Sequence, residues 1–591
     1  MLLVPLTHCK HNVTDARNES SYCLRILFVK GFLPQVKEMM VSRFKRVFGV
    51  INIMMGMLAG WATFFAFGSS APLQGAHSAT GADVVVYGAT ASGVMAAYSA
   101  AKQGLHVILL EPGAHLGGMV TGGLSATDVA HFQIIGGYPR AFYMKAAAHY
   151  GVTNLDQAQN WRSEPHVDEQ IFTTMLHDAG VQVVFHEQLR EKHGVEKRGS
   201  RVVALITADN KRWPAKVFLD CTYEGDLMAE AGVSYTWGRE PESQYGESLA
   251  GVRGHTAGHQ FAWPMSAYEK DHHLYPEVMP GPLKPEGTGD KGVEAYNFRL
   301  ILTTNPADKL PFPKPQGYDP ARFALLKEYL KEFPAHKGRE PVVHDFFNPV
   351  MIPNSKADFN NNGPISTDYI GHSWAFPEAS YAEKKKITED HLLYTKSLVY
   401  FLANDPSVPA SLRAELKTWG LPKDEFLDTG HWPNQLYIRE ARRMLGEYVM
   451  RQADLETDRT KPDSIAMGSY NADSHNVERV AQADGNVTNE GDIEVSVKPY
   501  EIPYSILVPK RSEIQNLLVS VCVSASHVAY SSIRMEPQYM MLGQAAGVAA
   551  ALAVSAKTPV QDVPIADLQA KLRAEGAILH IDEQHQPGQK E

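Results

Sequence analysis

Residues 83–118 combine a glycine-rich turn with an acidic residue about 20 positions further along the chain, a spacing typical of dinucleotide binding. Gly88 begins the turn and permits its tight bend, and Gly93 lets the helix that follows pack closely on the strand that precedes the turn. The N-terminus of that helix offers N–H groups and a partial positive charge to a pyrophosphate. Glu111 ends the next predicted strand, where a carboxylate accepts hydrogen bonds from an unphosphorylated ribose.

Thr90 occupies the position of the second glycine in the usual G-x-G-x-x-G pattern. A side chain at this position pushes against the phosphates unless its hydroxyl group contributes a hydrogen bond. An ordinary strand–turn–helix is therefore an equal alternative for the turn taken alone. If the turn does bind a dinucleotide, Ala89 and Ser92 are further predicted contacts.

Two histidines and one arginine are candidates for catalysis. His527 follows an apolar, strand-like run, and the ordinary pKa of imidazole suits proton transfer near neutral pH. A purely structural histidine, hydrogen-bonded to backbone, is an equally good interpretation. His475 lies in an Asp-Ser-His-Asn run that reads as a loop, and Arg534 is a candidate to stabilise an anion during the reaction.

A second group of arginines lies in the middle of the chain. Arg439, Arg442 and Arg443 are spaced three and four residues apart, which predicts adjacent faces of one helix. Such a cluster is able to clamp a carboxylate or a phosphate. Pairing with nearby acids such as Glu440 and Glu447 is the favoured alternative.

The elements around these residues predict an α/β fold interrupted by a second domain. Strands and helices alternate over 80–245 and again over 490–565, which together indicate one cofactor-binding domain. Residues 246–489 contain loops rich in proline, glycine and aromatic residues between amphipathic helices, and we expect an α+β substrate or cap domain there. Residues 566–591 are predicted to form a C-terminal tail.

The composition excludes several functional classes. The chain has 591 residues and a net charge of -10 without long basic runs, so we expect no nucleic acid partner. Its four cysteines, Cys9, Cys23, Cys221 and Cys522, do not have the spacing of a metal site or a disulfide framework. We therefore predict neither a bound metal nor a disulfide-stabilised fold.

The N-terminal region has the layout of a signal sequence. Over 39–79, basic residues precede an apolar run at 47–67, and small and polar residues follow it. Residues 1–38 are then a non-native or misassigned extension. The apolar run is nearly long enough to span a bilayer, so an uncleaved anchor in the inner membrane is the alternative to a cleaved signal peptide. Both interpretations predict a protein exported to the periplasm or beyond.

Three further motifs indicate a family. They are HLGGMVTGGLS at 115–125, FLDCTYEGDL at 218–227 and SSIRMEPQYMMLGQAAGV at 531–548. Together with the glycine turn they resemble the FAD-dependent oxidoreductase family of secreted bacterial flavoproteins, some of which are labelled xanthan lyases. The resemblance extends over most of residues 80–555.

The resemblance implies a two-dinucleotide-type flavoprotein fold, in which a Rossmann-like domain binds FAD and the last helix directs its N-terminus at the flavin ring. Arg534 would then stabilise the reduced flavin or a substrate oxyanion. In the last helix we expect glycines where the flavin approaches the backbone, with packing through small residues as the alternative. The additional cofactor contacts that the resemblance implies are Gly117, Gly118, Asp220, Gly225, Asp226, Gly543, Gln544, Ala545 and Gly547.

The expected activity is transfer of a hydride from a small polar substrate, such as an alcohol, sugar or polyol, to flavin, with the final electron acceptor left open. Asn360 to Asn362, Trp374 and Trp432 suit a sugar, although Asn-Asn-Asn-Gly is also typical of a turn. Two alternatives remain. One is a flavin-dependent reductase of an alkene or ketone, and the other is a carbohydrate-binding flavoprotein without turnover.

Overall fold

A computed structural model describes residues 81–254, 256 and 258–583. The predicted extension at 1–38 and the signal peptide or anchor at 39–79 lie outside the described residues, as do Cys9 and Cys23. Cys221 and Cys522 are buried as free thiols.

Short strands outnumber the α-helices in the described residues, and two of the α-helices are long. The strands are β1 (Ala82–Tyr87), β2 (Val107–Glu111), β3 (Gln182–Phe185), β4 (Val195–Arg198), β5 (Arg201–Ile206), β6 (Arg212–Asp220), β7 (Tyr235–Thr236), β8 (Leu300–Thr303), β9 (Lys309–Leu310), β10 (Phe347–Ile352), β11 (Lys356–Asn361), β12 (Leu421–Pro422), β13 (Arg443–Met444), β14 (Ser464–Gly468), β15 (Ala472–Ser474), β16 (Glu478–Ala481), β17 (Val487–Glu490), β18 (Ile493–Val495), β19 (Tyr500–Pro503) and β20 (Leu517–Val519). The α-helices are α1 (Ala91–Lys102), α2 (Gly137–His149), α3 (Pro165–Asp178), α4 (Asp226–Glu230), α5 (Glu242–Tyr245), α6 (Ala324–Lys337), α7 (Tyr381–Asn404), α8 (Ala410–Leu416), α9 (Gln452–Glu456), α10 (His527–Ile533), α11 (Glu536–Ala556) and α12 (Ile565–Ala574).

The largest sheet has seven strands in the order β3-β2-β1-β6-β5-β4, and β20 pairs with the second half of β6. β1 is parallel to both of its neighbours, β2 and β6, and β3 and β20 extend this parallel part. Parallel strands need crossover connections, which are supplied by α1 between β1 and β2 and by α2 and α3 between β2 and β3. The carboxyl ends of β1, β2, β6 and β20 consequently meet at one edge, where ligands bind in open α/β sheets.

The apolar sequences of β1 and β2 explain their place in the parallel part of the sheet. β1 reads ADVVVY and β2 reads VILLE, and nearly every side chain of the two is buried. Continuous apolar runs of this kind are typical of strands covered on both faces. The predicted α/β class is confirmed, and the finer assignment to a Rossmann-like fold remains a prediction.

Helices α1 and α11 approach so closely that two positions of α11 have no room for a side chain. A Cβ on Gly543 would lie 2.1 Å from the carbonyl oxygen of Ser92, and one on Gly547 would lie 2.4 Å from that of Ala96. The structure thus gives these glycines a reason other than the predicted approach of flavin. Packing through small residues, the stated alternative, accounts for them.

Helix α11 is apolar along its whole length because it lies in the protein core. Among the described residues it is the one helix long and apolar enough to cross a membrane, and most of it is buried by the protein itself. Its neighbours include α1, α2 and α12. The apolar composition of α11 is thus explained by its burial.

The segment between β6 and β20 contains antiparallel strands and the long helices α6 and α7. β8, β10 and β11 form a three-stranded antiparallel sheet, and the remaining strands form two-stranded pairs. Side chains of α6, α7, β8 and β11 share a second apolar cluster that includes Leu300, Leu326, Phe359 and Leu398. The described residues from Gly81 onward group into one compact unit, and the predicted boundaries at 245, 489 and 565 remain predictions.

The helix predicted for Arg439, Arg442 and Arg443 is wrong. The segment is extended, and Arg443 belongs to β13, which pairs with β7. A helix would direct the three side chains toward adjacent faces, whereas the extended chain directs them to separate acids. The apolar, strand-like run before His527 contributes only a short strand, β20, which ends at Val519.

We predict that Gly543→Ala destabilises the protein. In an unobstructed helix this change stabilises by about 0.5–1 kcal/mol, because alanine loses less backbone entropy on folding. Here the added Cβ meets the Ser92 carbonyl group, and overpacking of this kind costs about 1–3 kcal/mol. The melting temperature should fall, and Gly254→Ala, where the nearest atom to the new Cβ is 3.9 Å away, is the control. A melting temperature raised by Gly543→Ala would contradict the packing described above.

Candidate FAD site and adjoining polar cavity

The glycine turn after β1 is tied to the end of β2 by Glu111. The backbone N–H of Ala89 donates to Glu111 Oε2 at 2.7 Å, and that of Gly113 donates to Oε1 at 2.6 Å. Gly88 has a φ of +91°, which favours glycine. Each carboxylate oxygen can accept a second hydrogen bond, so Glu111 organises the turn and can still accept from a ribose.

Thr90 caps α1 rather than facing a phosphate. Its Oγ1 accepts from the Gly93 N–H at 3.2 Å and donates to the Cys221 carbonyl group at 2.7 Å. Because both hydrogen bonds engage its hydroxyl group, Thr90 takes the position of the usual glycine and leaves no unpaired side-chain oxygen in the turn. A Cβ on Gly93 would lie only 1.9 Å from the Gly88 carbonyl oxygen, so the predicted close packing at Gly93 is present. The Ser92 hydroxyl, predicted to contact the cofactor, instead shares a 2.8 Å hydrogen bond with Ser520.

A cleft opens at the carboxyl edge of the parallel strands and encloses a cavity of about 160 Å³. Of the residues predicted to contact the cofactor, five line it: Gly88, Ala89, Thr90, Glu111 and Gly118. Nine residues that were not predicted as cofactor contacts complete the wall: Pro112, Gly113, Ala114, His115, Thr222, Tyr223, Glu224, Asn434 and Gln435. Asn434 and Gln435 carry no motif of their own, and only the fold brings them to this edge.

The loop after β6 reaches the cleft, but Asp220 and Asp226, the two acids predicted to contact the cofactor, hold the loop and do not line the cleft. Asp220 is buried and accepts from the Thr222 N–H at 3.1 Å and the Met228 N–H at 2.8 Å. Asp226 pairs with Lys384 at 2.7 Å and with Arg442 at 2.6 Å. Gly225, with a φ of +68°, turns the chain into α4. These contacts fix the intervening residues, which do face the cleft.

The predicted contacts at 543–547 of α11 also serve the fold. Gln544 Oε1 accepts from the Tyr138 N–H at 3.0 Å, its Nε2 donates to Glu575 at 2.9 Å, and Ala545 is buried in the main core. Gly117, with a φ of +94°, has no room for a Cβ because Thr121 and Phe172 lie within 2.7 Å of that position. These residues pack behind the cleft and do not line it.

Unpartnered polar atoms instead occur in the first turn of α11. Both amide atoms of Gln538 and Oε2 of Glu536 are buried without a hydrogen-bond partner in the described part of the chain. Glu536 Oε1 accepts from the Tyr223 hydroxyl group at 2.6 Å, which links this turn to the cleft, and burial raises the pKa of Glu536 to about 8. A polar ligand beside the first turn of α11 would supply the missing hydrogen bonds.

The donor set fits FAD. The cleft offers a helix N-terminus for a pyrophosphate and a carboxylate for a ribose, and the first turn of α11 offers an amide for a polar ring. The backbone is held in glycine-favouring conformations at Gly88 and Gly118, two residues that line the cleft.

His527 lies outside any cavity and belongs to a buried ion network. Its ring is 1% exposed, and Nδ1 lies 2.6 Å from Glu440 Oε2. Glu440 also pairs with Arg443 at 2.8 Å, and Arg443 pairs with Glu240 at 2.7 Å. Burial, the largest single effect, lowers the pKa of His527. The charge and the hydrogen bond of Glu440, together with the charge of Glu294, outweigh it and leave the pKa above its ordinary value. The structure thus favours the interpretation of His527 as a purely structural histidine over a catalytic one.

Two clusters in the described chain have the side chains of a metal site, and cationic side chains already compensate both. In one, Glu294 and Glu440 lie beside His527 and pair with Arg534 and Arg443, respectively. In the other, Glu164, His166 and Glu425 lie together, and the Lys356 ammonium group lies 2.6 Å from Glu164 and 2.9 Å from Glu425. We therefore interpret both clusters as structural.

His475 forms a different pair, with Asp368, at the wall of a large cavity. His475 Nδ1 lies 2.6 Å from Asp368 Oδ2, and Asp368 Oδ1 accepts from Arg439 at 2.9 Å. Burial lowers the pKa of His475 to about 4, with a further contribution from the positive charge of Arg439. The ring is therefore neutral near pH 7 and carries its proton on Nδ1, where Asp368 accepts it. Nε2 makes no hydrogen bond in the described residues and lies 3.8 Å from Asp473 Oδ1.

The cavity beside His475 measures about 820 Å³, and its wall is predominantly polar. Asn360, Asn361 and Asn362 line it, as expected for a polyol site. Trp374 and Trp432 do not line it. The Trp374 ring N–H donates to the Val477 carbonyl group at 2.9 Å, and Trp432 is buried in the second apolar cluster.

Arg534 connects the cavity wall to α11. It donates to the Asp473 carbonyl oxygen at 2.6 Å and to the Tyr437 hydroxyl group at 3.2 Å, and it pairs with Glu294 at 3.2 Å. Arg534 is 2% exposed and lies two residues before the first turn of α11. Arg534 therefore supports the cavity wall from the protein core. It lies next to the first turn of α11, where Glu536 and Gln538 carry unpartnered polar atoms.

The chain is similar to several solved structures over part of its length. Solved structures similar to part of the chain include OxyS anhydrotetracycline hydroxylase from Streptomyces rimosus (16% identity, TM-score 0.21, 27% of this chain and 36% of that chain). They also include THI4 from Thermovibrio ammonificans (17%, 0.21, 35% and 76%) and L-amino acid deaminase from Proteus vulgaris (13%, 0.21, 27% and 52%). The chain thus spans about a third of the first protein and half of the third. No curated protein matches the sequence.

The family model described as FAD dependent oxidoreductase matches residues 83–572, from β1 to α12. This range includes the glycine turn, Glu111, the loop after β6 and the first turn of α11. The secreted, xanthan-lyase-labelled subset of the resemblance is not tested by this match. With its cofactor cleft and this match over most of its length, the chain belongs to the FAD-dependent oxidoreductase family.

Proposed function

We propose that this FAD-dependent oxidoreductase oxidises a small polar molecule, an alcohol, sugar or polyol, in the cavity beside His475. The observation that carries the proposal is a neutral imidazole with an unengaged Nε2 at the wall of an 820 Å³ polar cavity. When bound, FAD supplies the acceptor for a hydride. Gly88, Ala89, Glu111 and Gly118, together with the first turn of α11, would hold it.

His475 would take the proton of the substrate hydroxyl group. Asp368 holds the Nδ1 proton and so fixes the tautomer that leaves the Nε2 lone pair available. Arg439 and Asn297 donate to the other oxygen of Asp368 at 2.9 Å, which keeps the carboxylate in place. The imidazole orientation is therefore set before substrate arrives, which reduces the entropic cost of proton transfer.

The direction of reaction follows from the same protonation state. A reductase acting on an alkene or ketone needs a protonated group to deliver a proton to the product. With a pKa of about 4, His475 is neutral near pH 7, so Nε2 is able to accept a proton and has none to donate. This favours oxidation of a hydroxyl group over reduction of an alkene or ketone.

We propose, further, that the enzyme is exported to the periplasm or the cell exterior. The support is the signal-like order of basic residues, apolar run and small residues over 39–79. Residues 47–67 would serve as an inner-membrane anchor if the signal remains uncleaved. The electron acceptor remains open.

We expect His475→Gln to slow flavin reduction by about 10²–10⁴-fold, the usual contribution of a positioned base. FAD content, measured by visible absorbance, should be unchanged because His475 does not line the cofactor cleft. The rate would be measured anaerobically by stopped flow, with a substrate identified from a panel of alcohols, sugars and polyols.

The matched control for this variant is His166→Gln. His166 also pairs with a carboxylate, Glu425, at 2.7 Å, but it lies outside the cavity. The control should retain the parental rate. A His475→Gln enzyme that also keeps the parental rate, with full FAD content, would contradict the role of His475.

The protonation state of His475 is a separate prediction. Because its pKa lies near 4, below the ordinary value of 6.5, the ring should gain a second proton only as the pH falls toward 4. Nitrogen NMR of the FAD-bound protein at pH 6 should show a neutral ring protonated on Nδ1. The signal is identified by its loss in His475→Gln. A doubly protonated ring at pH 6 would contradict both the tautomer and the direction of reaction.

A further inference from the structure

Asp492 is a buried carboxylate at the wall of the 820 Å³ cavity, and it has no partner. It is 7% exposed, and no hydrogen bond or ion pair reaches it in the described part of the chain. Its surroundings are acidic. Burial raises the pKa of Asp492 to about 7, and the charges of Asp473 and Glu494 add to this effect. A buried carboxylate without a counter-charge is costly, so its retention at a cavity wall indicates a ligand that supplies one.

The strand pairing next to Asp492 adds a second unfavourable arrangement. β15 and β18 are antiparallel, and their register places Asp473 directly opposite Glu494. Like charges directly opposite each other destabilise a strand pair. Asp473, Glu494 and Asp492 all line the cavity, so the wall beside this strand pair presents three carboxylates to the same cavity.

The positive groups around the cavity do not neutralise this wall. Arg534 approaches Asp473 only to 3.7 Å and already pairs with Glu294 at 3.2 Å. His475 is neutral near pH 7. Lys337 and His344 also line the cavity, but they are exposed and belong to α6 and to the segment before β10.

A bare metal ion does not fit the three acids as they stand. Carboxylate ligands of one cation converge on a point, with oxygen–metal distances of about 2.3–2.6 Å even for calcium. Two groups in the described residues have ligand atoms within 4.8 Å of one another, and these three acids are in neither. The negative wall is therefore suited to a positive group carried on an organic molecule.

We propose that the substrate is a cationic amino sugar or amino alcohol whose ammonium group binds Asp492, with Asp473 and Glu494 adding to the attraction. This inference rests on the proposed function, because it names the substrate class of the same cavity. An ammonium group supplies up to three donors, which would satisfy Asp492. The amides of Asn360, Asn361 and Asn362 are then available for the hydroxyl groups of the ligand.

The test is calorimetric titration of the FAD-bound protein at pH 7.5 with two matched pairs of probes. Glucosamine is compared with glucose, and 1-amino-1-deoxysorbitol is compared with sorbitol. A charged hydrogen bond contributes about 1.5–3 kcal/mol, so we expect at least one amine to bind about tenfold or more tightly than its neutral counterpart. Equal or weaker binding of both amines, or no detectable binding of either, would overturn the proposal.

Asp492→Asn should abolish the preference for the amine and leave binding of the neutral probe unchanged. It should also raise the melting temperature of the ligand-free protein, because it removes an uncompensated buried charge without changing the side-chain shape. A carboxylate with a structural role would give the opposite shift. Asp156→Asn, at an exposed position between α2 and α3 where the carboxylate makes no hydrogen bond in the described part of the chain, is the control and should change neither quantity. Amine preference retained in Asp492→Asn would overturn the assignment to Asp492.

Flavin bleaching separates this inference from the proposed function. If amines bind preferentially but no probe or panel member reduces the flavin, the oxidation proposal fails and the cationic site stands. If a neutral sugar reduces the flavin and binds as tightly as its amine, the function stands and the cationic site fails.

Discussion

The close contact between α1 and α11 is the constraint on which the rest of the structure depends. Gly543 and Gly547 bring the backbone of α11 against carbonyl groups of α1, and any side chain at either position would separate the helices. Ser92 and Ser520, 428 residues apart in sequence, share a buried hydrogen bond at the same junction. The contact places the first turn of α11 at the sheet edge that carries the glycine turn. Arg534, two residues before this turn, donates to the carbonyl group of Asp473 in the wall of the polar cavity.

Buried charges are paired in the protein core but not at the wall of the polar cavity. Behind the cavity wall, Glu440, Arg443 and His527 compensate one another within one network, as buried ions must if the fold is to tolerate them. Asp368 is likewise compensated by Arg439, and burial together with the positive charge of Arg439 leaves His475 neutral near pH 7. Asp473, Asp492 and Glu494, at the β15–β18 strand pair, lack such close counter-charges among the described residues. The contrast between satisfied charges in the core and an unsatisfied one at a cavity is typical of a functional site.

Local motifs were predicted well where the chain itself builds the site. The turn at Gly88, the close packing at Gly93 and the acid at Glu111 depend on residues near in sequence and on one strand–turn–helix unit. Predictions failed where a residue type has two physical uses. Gly543 serves helix packing instead of flavin approach, and His527 is enclosed by acids from distant segments. Neither outcome is encoded in the neighbouring sequence.

The sequence by itself determined the α/β class through its apolar periodicity and the glycine turn through its short-range spacing. The family followed from the resemblance of its motifs. Only the tertiary structure decided which histidine faces a cavity, since Asp368 and His475 are 107 residues apart and meet through separate segments. It also decided that Asn434 and Gln435 line the cleft and that Asp492 is left without a partner. Burial and counter-charge are properties of the packed chain, and they set the chemistry of a side chain more strongly than its place in a motif.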